Sequence, residues 1–158
     1  MNKKFFLYAD GGARGNPGPA GIGAVIFDAK KKKVKEAYKY IGETTNNNAE
    51  YNALIFGLEE VGILGGNEVI VNLDSEFVVK QLSGEYRVKN PDIKPLFDKA
   101  VAALKNFKSF EIHHIDRSKN KEADKLVNKA INLKSWPDVR SCHQAGEESP
   151  GSKERRSG

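Results

Sequence analysis

The alternation of apolar and polar residues predicts a mixed α/β fold along most of the chain. Three short strands joined by tight turns come first, and a helix, a strand, two helices, a strand and a last helix follow. The predicted strands are residues 3–10, 21–27, 34–41, 68–73 and 110–115. The predicted helices are residues 47–64, 75–82 with Ser75 as N-cap, a segment from Pro91 or Asp92 to about Phe107, and 120–133. This order predicts a sheet that is antiparallel at first and parallel later, with helices against its faces.

The chain divides into a patterned part and a tail. Residues 1–134 carry the periodic pattern, enough for one domain with one core. Residues 135–158 lose the pattern and gather glycine, serine and proline, so we predict a mostly disordered tail there.

Composition limits the classes of protein that fit. Hydrophobic residues are 39% and charged residues 30% of the 158, a globular balance without a run long enough to span a membrane. The apolar run at the N-terminus is too short for a signal peptide, and a single cysteine, Cys142, forms no internal disulfide. We therefore expect a cytoplasmic protein. The net charge of +5 belongs to residues 1–134 and favours a polyanionic partner, although many proteins without one are as basic.

Four acidic residues stand at unusual positions in this pattern. Asp10 and Asp74 follow apolar strands, at the kind of sheet end where α/β folds build their sites. Glu50 lies on the apolar stripe of its helix, and Asp124 borders the stripe of the last helix. An acid that faces a core costs free energy unless it is paired or bound to a metal.

Each acid alone also has an ordinary interpretation. Asp10 could be a turn residue, Asp74 a helix cap, and Glu50 a helix-start acid favoured by the dipole. The ordinary interpretation is harder to hold for all four together, because no lysine or arginine shares the Glu50 stripe. Converging carboxylates without cysteine or paired histidine suit Mg²⁺ or Mn²⁺.

Five segments in series resemble the type 1 ribonuclease H family. They are DGGARGNPGPAGIGAVI, TTNNNAEYNALIFGLE, LDSEFVVKQL, YRVKNPDIKPL and NKEADKLVNKAI, and they span most of residues 3–133. The resemblance implies a ribonuclease H-like fold, a five-stranded mixed sheet flanked by helices on both faces. It also implies hydrolysis of the RNA strand of RNA–DNA hybrids, which leaves 5′-phosphate and 3′-hydroxyl ends.

The resemblance implies a site of two Mg²⁺ ions, with Mn²⁺ as a possible substitute, and a monomeric enzyme. The metal ligands and catalytic acids would be Asp10, Glu50, Asp74 and Asp124. Asp10 would bridge both ions, Glu50 and Asp74 would hold the ion on the leaving-group side, and Asp124 would hold the ion that carries the nucleophilic water.

The resemblance also implies contacts to both strands of the hybrid. Backbone at Gly11 and Gly12 would approach the RNA strand, and Asn16, Asn46 and Asn47 would reach the minor groove. Thr45 and Asn90 would hold a phosphate of the DNA strand. A polar helix start is the alternative interpretation of the TTNNN segment, since threonine and asparagine are good caps.

The sequence departs from the family in the loop before the last helix, where many relatives carry a histidine. That loop reads DRSKNKEA, so Arg117 or Lys119 could act there electrostatically. His113 and His114 fall in the preceding strand, where we expect a structural role. The basic helix that some relatives insert after Asp74 is missing, which leaves the lysines of residues 30–33 as another candidate basic surface or as a plain hairpin turn.

Two other functions compete with hybrid cleavage. A hybrid-binding module that has lost catalysis would be expected to lack one of the four acids. An enzyme with the same metal core that acts on other polynucleotides would not need Asn16, Asn46 and Asn47.

Overall fold

A five-stranded sheet organises residues 3–134, the part of the chain that the computed structural model describes. In chain order the strands are β1 (Lys4–Ala13), β2 (Gly18–Asp28), β3 (Lys33–Thr44), β4 (Glu68–Leu73) and β5 (Ser109–His114). Their order across the sheet is β3-β2-β1-β4-β5, so β1 is central. β1 pairs antiparallel with β2 and parallel with β4, and the predicted mixed sheet is confirmed.

Helices cover both faces of the sheet, as expected. They are α1 (Asn46–Ile63), α2 (Glu76–Leu82), α3 (Lys94–Lys105) and α4 (Lys121–Asn132), with a short 3₁₀ turn (Arg117–Lys119) before α4. α1 lies on one face, where Gly57 meets the Leu7 side chain of β1, and α4 lies on the other, where Leu126 meets Gly23 of β2. Within residues 3–134, no helix is long and apolar enough to cross a membrane.

The larger core lies between the sheet and α1, and α2 and α3 contribute to it. Leu7, Val71, Leu54 and Val61 are fully buried there. Burying an aliphatic side chain of this size stabilises the fold by about 1.5–3 kcal/mol. This packing fixes α1 against the central strand, and it therefore fixes the residues at the start of α1 near the end of β1.

Strand β1 extends past Asp10, which contradicts the expectation that the strand ends there. Gly11, Gly12 and Ala13 continue the ladder with β2. Glycine is required at position 11 because a Cβ there would lie 2.1 Å from the carbonyl oxygen of Ala49 in α1. The two glycines that read as a turn in the sequence are thus strand residues, and a helix backbone packs closely over Gly11.

The third predicted helix starts later than expected. Residues 91–93 form a turn in which Asn90 Oδ1 accepts a hydrogen bond from the Asp92 N–H at 2.8 Å, and α3 begins at Lys94. The expected cap of α2 is confirmed, since Ser75 Oγ accepts from the Val78 N–H at 3.3 Å. The remaining predicted boundaries lie within three residues of the observed ones. The tail predicted for residues 135–158 lies outside the described residues.

Candidate metal centre and active site

Three of the four predicted acids meet at one end of the sheet. Asp10 follows Ala9 in β1, and Asp74 follows Leu73 in β4, and these two neighbours are paired in the parallel ladder. Glu50 reaches the same place from the first turns of α1, which packs across the end of β1. One carboxylate oxygen from each of the three acids lies within 4.8 Å of those of the other two.

Asp124 stands beside this group on the first turn of α4. Its negative charge raises the pKa of Asp10, because the two carboxylates lie close together. It does not belong to the cluster of three carboxylates found among residues 3–134. Asp10 therefore interacts with Glu50 and Asp74 inside the cluster and also with Asp124 outside it.

Glu50 is held by the backbone of β1. Its Oε1 accepts a hydrogen bond from the Gly11 N–H at 3.3 Å, and the residue is only 7% exposed. The close approach of Ala49 to Gly11 brings this carboxylate over the strand. Gly11 thus fixes both the position of α1 and the position of the Glu50 carboxylate.

Asn120 is a site residue that the sequence did not single out. It is 1% exposed, and its Nδ2 donates to the Ala9 carbonyl oxygen at 3.0 Å and to Asp74 Oδ2 at 2.9 Å. It precedes α4 but makes no side-chain cap bond there. An asparagine at a helix start normally suggests a cap, so only its position four residues before Asp124 could have pointed to the site.

The pKa values of Asp10 and Glu50 are strongly raised. Burial, followed by the charges of Asp74 and Asp124, raises the pKa of Asp10 from 3.8 to about 8. Burial and the charge of Asp10 raise the pKa of Glu50 well above its usual value. The positive charge of the Arg117 guanidinium acts in the opposite direction and lowers both pKa values. Its Nη2 lies 3.9 Å from Asp74 Oδ1, the third acid of the cluster.

The donor set fits a hard divalent cation. Asp74 Oδ1 is buried and accepts no hydrogen bond from any residue between 3 and 134, an arrangement that costs free energy unless another group binds it. The neighbouring ligand atoms are carboxylate oxygens, which Mg²⁺ and Mn²⁺ prefer. A cation here would also relieve the repulsion that raises the pKa values of Asp10 and Glu50.

The predicted substrate residues beside the site have their oxygens engaged within the protein. Asn16 Oδ1 accepts from the Asn46 N–H at 2.9 Å, and Asn46 Oδ1 accepts from the Ala13 N–H at 3.2 Å. Thr45 Oγ1 accepts from the Asn48 N–H at 3.2 Å and caps α1. The capping interpretation is therefore right for Thr45, and the two asparagines tie the β1–β2 loop to the start of α1.

Three other predicted contact residues are placed less tightly. Asn47 is exposed on the first turn of α1, and Asn90 is exposed in the turn before α3. A Cβ at Gly12 would meet only ordinary contacts, the nearest being the Val127 side chain at 3.6 Å, so packing within the protein does not require glycine there.

The remaining predicted residues are an arginine, two histidines and a run of lysines. Arg117 faces the acids with a side chain that is 77% exposed, whereas His113 and His114 are both exposed on β5. His113 pairs with Glu111 at 2.9 Å, so neither histidine is a core residue. Residues 30–32 belong to the β2–β3 turn and Lys33 begins β3, at the opposite end of β1 from Asp10 and about 17 Å away at 3.3 Å per residue.

Comparison with known proteins places this chain among ribonucleases H. The family model described as Reverse transcriptase-like matches residues 8–130. The bifunctional protein Rv2228c of Mycobacterium tuberculosis is 44% identical over 129 residues, which are 81% of this chain and 35% of that protein. The chain thus spans about a third of the length of this mycobacterial relative.

Two further relatives are matched over nearly their whole length. Ribonuclease H of Pseudomonas putida is 31% identical over 145 residues, covering 83% of this chain and 95% of that protein. The crystal structure of LC11-RNase H1 in complex with an RNA/DNA hybrid superposes with a TM-score of 0.79 at 47% identity, over 83% of this chain and 99% of the other. The fold, the order of the motifs and these relatives agree, and the chain belongs to the type 1 ribonuclease H family.

Proposed function

We propose that this protein is a divalent-metal-dependent endoribonuclease that hydrolyses the RNA strand of RNA–DNA hybrids and leaves 5′-phosphate and 3′-hydroxyl ends. The observation that carries the proposal is the cluster of Asp10, Glu50 and Asp74, whose oxygens lie within 4.8 Å of one another. One of these oxygens, Asp74 Oδ1, is buried and accepts no hydrogen bond from residues 3–134. The solved complex of LC11-RNase H1 with an RNA/DNA hybrid supports the choice of substrate.

Two Mg²⁺ ions are the proposed cofactors, and Mn²⁺ is the proposed substitute. Asp10, Glu50 and Asp74 would hold one ion, and Asp10 and Asp124 the other. When bound, the ions supply an activated water and neutralise the charge on the departing 3′ oxygen. Because Asp10 belongs to the cluster with Glu50 and Asp74 and also interacts with Asp124, it suits the shared ligand.

The protein residues have separate tasks in this scheme. Asn120 holds one oxygen of Asp74, which leaves Oδ1 available as a ligand. The Gly11 N–H orients Glu50. Arg117 is the cation beside the acids, and we propose that it contacts the substrate phosphate where many relatives use a histidine.

The contacts around the substrate follow one pattern. In Asn16, Asn46, Thr45 and Asn90 the side-chain oxygen already accepts a backbone N–H of the protein. Their N–H or O–H groups are therefore the atoms left for the substrate. Donors of this kind suit the acceptor atoms of a minor groove, 2′-hydroxyl groups and phosphate oxygens.

We assign the two asparagines at positions 16 and 46, together with Asn47, to the minor groove of the hybrid, and Thr45 and Asn90 to a phosphate of the DNA strand. Backbone at Gly11 and Gly12 would lie against the RNA strand. The catalytic domain is proposed to be residues 1–134, which include the matched residues 8–130. The single cysteine supports a cytoplasmic location, and the protein is proposed to act as a monomer.

A cleavage assay on four matched substrates tests the proposal. The protein is incubated with Mg²⁺, with and without EDTA, and with each of four end-labelled substrates: RNA–DNA hybrid, single-stranded RNA, duplex RNA and duplex DNA. We expect cleavage of the hybrid alone. EDTA and Asp10→Asn should abolish this cleavage, and Glu59→Gln should leave it unchanged, because Glu59 is an exposed acid near the far end of α1.

Each other outcome identifies a different function. Hybrid binding without cleavage in Mg²⁺ or Mn²⁺ would overturn the enzymatic proposal in favour of a binding module. Cleavage of duplex RNA or duplex DNA at a similar rate would retain the metal centre and overturn the selectivity assigned to Asn16, Asn46 and Asn47.

A further inference from the structure

A chain of hydrogen bonds connects Asp124 to the loop between β1 and β2. Asn128, one helical turn further along α4, places its Nδ2 3.1 Å from the Asp124 carbonyl oxygen and 3.5 Å from Asp124 Oδ2. Its Oδ1 accepts a hydrogen bond from Arg14 Nη2 at 3.2 Å. A loop residue between β1 and β2 is thus connected to a predicted metal ligand through one neutral amide.

Arg14 fixes which way the Asn128 amide points. An asparagine amide has a donor side and an acceptor side, and the guanidinium can only donate. With its oxygen bound to Arg14, the amide must turn its N–H groups toward Asp124. The flipped amide would set N–H against N–H on one side and oxygen against a carboxylate on the other.

Arg14 is itself held by its loop. Its N–H donates to the Pro19 carbonyl oxygen at 2.8 Å, and its own carbonyl lies so close to Gly18 that a Cβ there would be 2.1 Å away. The neighbouring Asn16 ties the same loop to α1. The loop therefore gives the Arg14–Asn128 contact a fixed starting point on the sheet.

Asp124 needs such a contact because of its other neighbour. It lies beside Asp10, and the two carboxylates repel each other when both are charged. Within residues 3–134, Asn128 provides the side-chain N–H that approaches the Asp124 carboxylate. A donor on this side offsets the repulsion and restricts the rotation of the side chain toward solvent.

We propose that Asn128 and Arg14 are positioning residues that hold Asp124 ready for the second divalent ion, with Arg14 acting through Asn128. This inference rests on the proposed function, because it assumes that Asp124 is a metal ligand. It predicts that metal affinity depends on two exposed residues that contribute little to the stability of the fold.

Calorimetric titration of the substrate-free protein with Mn²⁺ tests the inference, and the absence of substrate removes any direct contact of Arg14 with phosphate. The variants are Asn128→Leu, Arg14→Met and the double variant, with thermal melting by circular dichroism as the check on folding. Lys125→Met is the matched control, because it removes one positive charge from the exposed side of the same helix. We expect Asn128→Leu to weaken binding at the weaker Mn²⁺ site by about 10- to 100-fold, the usual effect of losing a group that orients a ligand.

Arg14→Met should weaken Mn²⁺ binding less, and it should add nothing in the Asn128→Leu background, because its effect passes through the amide. Losses that add in the double variant would overturn this relay. An affinity of Asn128→Leu equal to that of Lys125→Met would overturn the inference as a whole. Asp10→Asn separates this failure from failure of the proposed function: if it also leaves Mn²⁺ binding unchanged, the metal centre itself is refuted.

Discussion

Replacing Asp10 by asparagine should stabilise the metal-free protein at pH 8 while abolishing its activity. The carboxyl group of Asp10 is largely buried and lies beside Asp74 and Asp124. Burial, followed by the negative charges of these two acids, raises its pKa to about 8. At pH 8 and above, folding therefore forces a negative charge into an unfavourable place. An asparagine of the same shape carries no charge and avoids this cost.

The size of the effect follows from the two pKa values. Raising the pKa of a carboxyl group from 3.8 in the unfolded chain to about 8 in the fold costs at most about 6 kcal/mol, at about 1.4 kcal/mol per pH unit. The cost is below about 1 kcal/mol near pH 4, close to the pKa of the carboxyl group in the unfolded chain, and it grows as the pH rises to 8, because the folded state retains a proton that the unfolded chain releases. Stability should thus fall with rising pH across this window, and the raised pKa of Glu50 acts in the same direction.

Urea unfolding in EDTA at several pH values from 4 to 9, followed by far-ultraviolet circular dichroism, measures this directly. The parent and Asp10→Asn should have similar free energies of unfolding near pH 4 and diverge by several kcal/mol at pH 8. Asp92→Asn, a change of the same kind at an exposed position, should follow the parent throughout. Parallel curves for the parent and Asp10→Asn would refute the reasoning, since they would mean that Asp10 ionises as freely in the fold as in the unfolded chain.

Substitutions at three further positions probe the surroundings of the acids. Asn120→Ala removes the donor to Asp74 and to the Ala9 carbonyl, so it should lower kcat and Mn²⁺ affinity by about 10- to 100-fold. Asn120→Asp places a carboxylate that repels Asp74, so it should lower kcat and Mn²⁺ affinity at least as much. Arg117→Ala removes the exposed cation beside Asp74, so kcat should fall by about tenfold while Mn²⁺ affinity is retained or increased; an unchanged kcat would exclude Arg117 from the reaction. Gly11→Ala places a Cβ against the backbone of α1, so it should lower the melting temperature, and an unchanged melting curve would contradict the packing described for β1.

The order of the elements could be predicted because their patterns are local. The segment EVIVNL reads as a buried strand and is β4, and the apolar stripe that contains Glu50 is the buried side of α1. The end of β1 could not be predicted in this way. Glycine at positions 11 and 12 indicates a turn when the sequence is read alone. In the fold, glycine is required at position 11 because of the close approach of Ala49, which lies far along the chain.

The same difference separates the acids from the residues that hold them. Asp10, Glu50 and Asp74 were predicted because a carboxylate at a strand end or on an apolar stripe is unusual in itself. Asn120 is an ordinary polar residue whose partners, the Ala9 carbonyl and Asp74, are 111 and 46 residues away. Long-range contacts of this kind leave no local pattern, so they emerge only when the elements are assembled.

The most direct test of the proposed metal centre is a single-turnover cleavage assay on an end-labelled RNA–DNA hybrid. The assay compares the parent with four variants, Asp10→Asn, Glu50→Gln, Asp74→Asn and Asp124→Asn. Each isosteric change removes one carboxylate of the proposed metal centre, and hybrid binding measured in parallel shows whether the substrate surface survives. We expect all four variants to bind the hybrid and to cleave it at least about a hundredfold more slowly than the parent in Mg²⁺. Cleavage at the parent rate by the Asp10, Glu50 or Asp74 variant would contradict the assignment of this cluster as the catalytic metal centre.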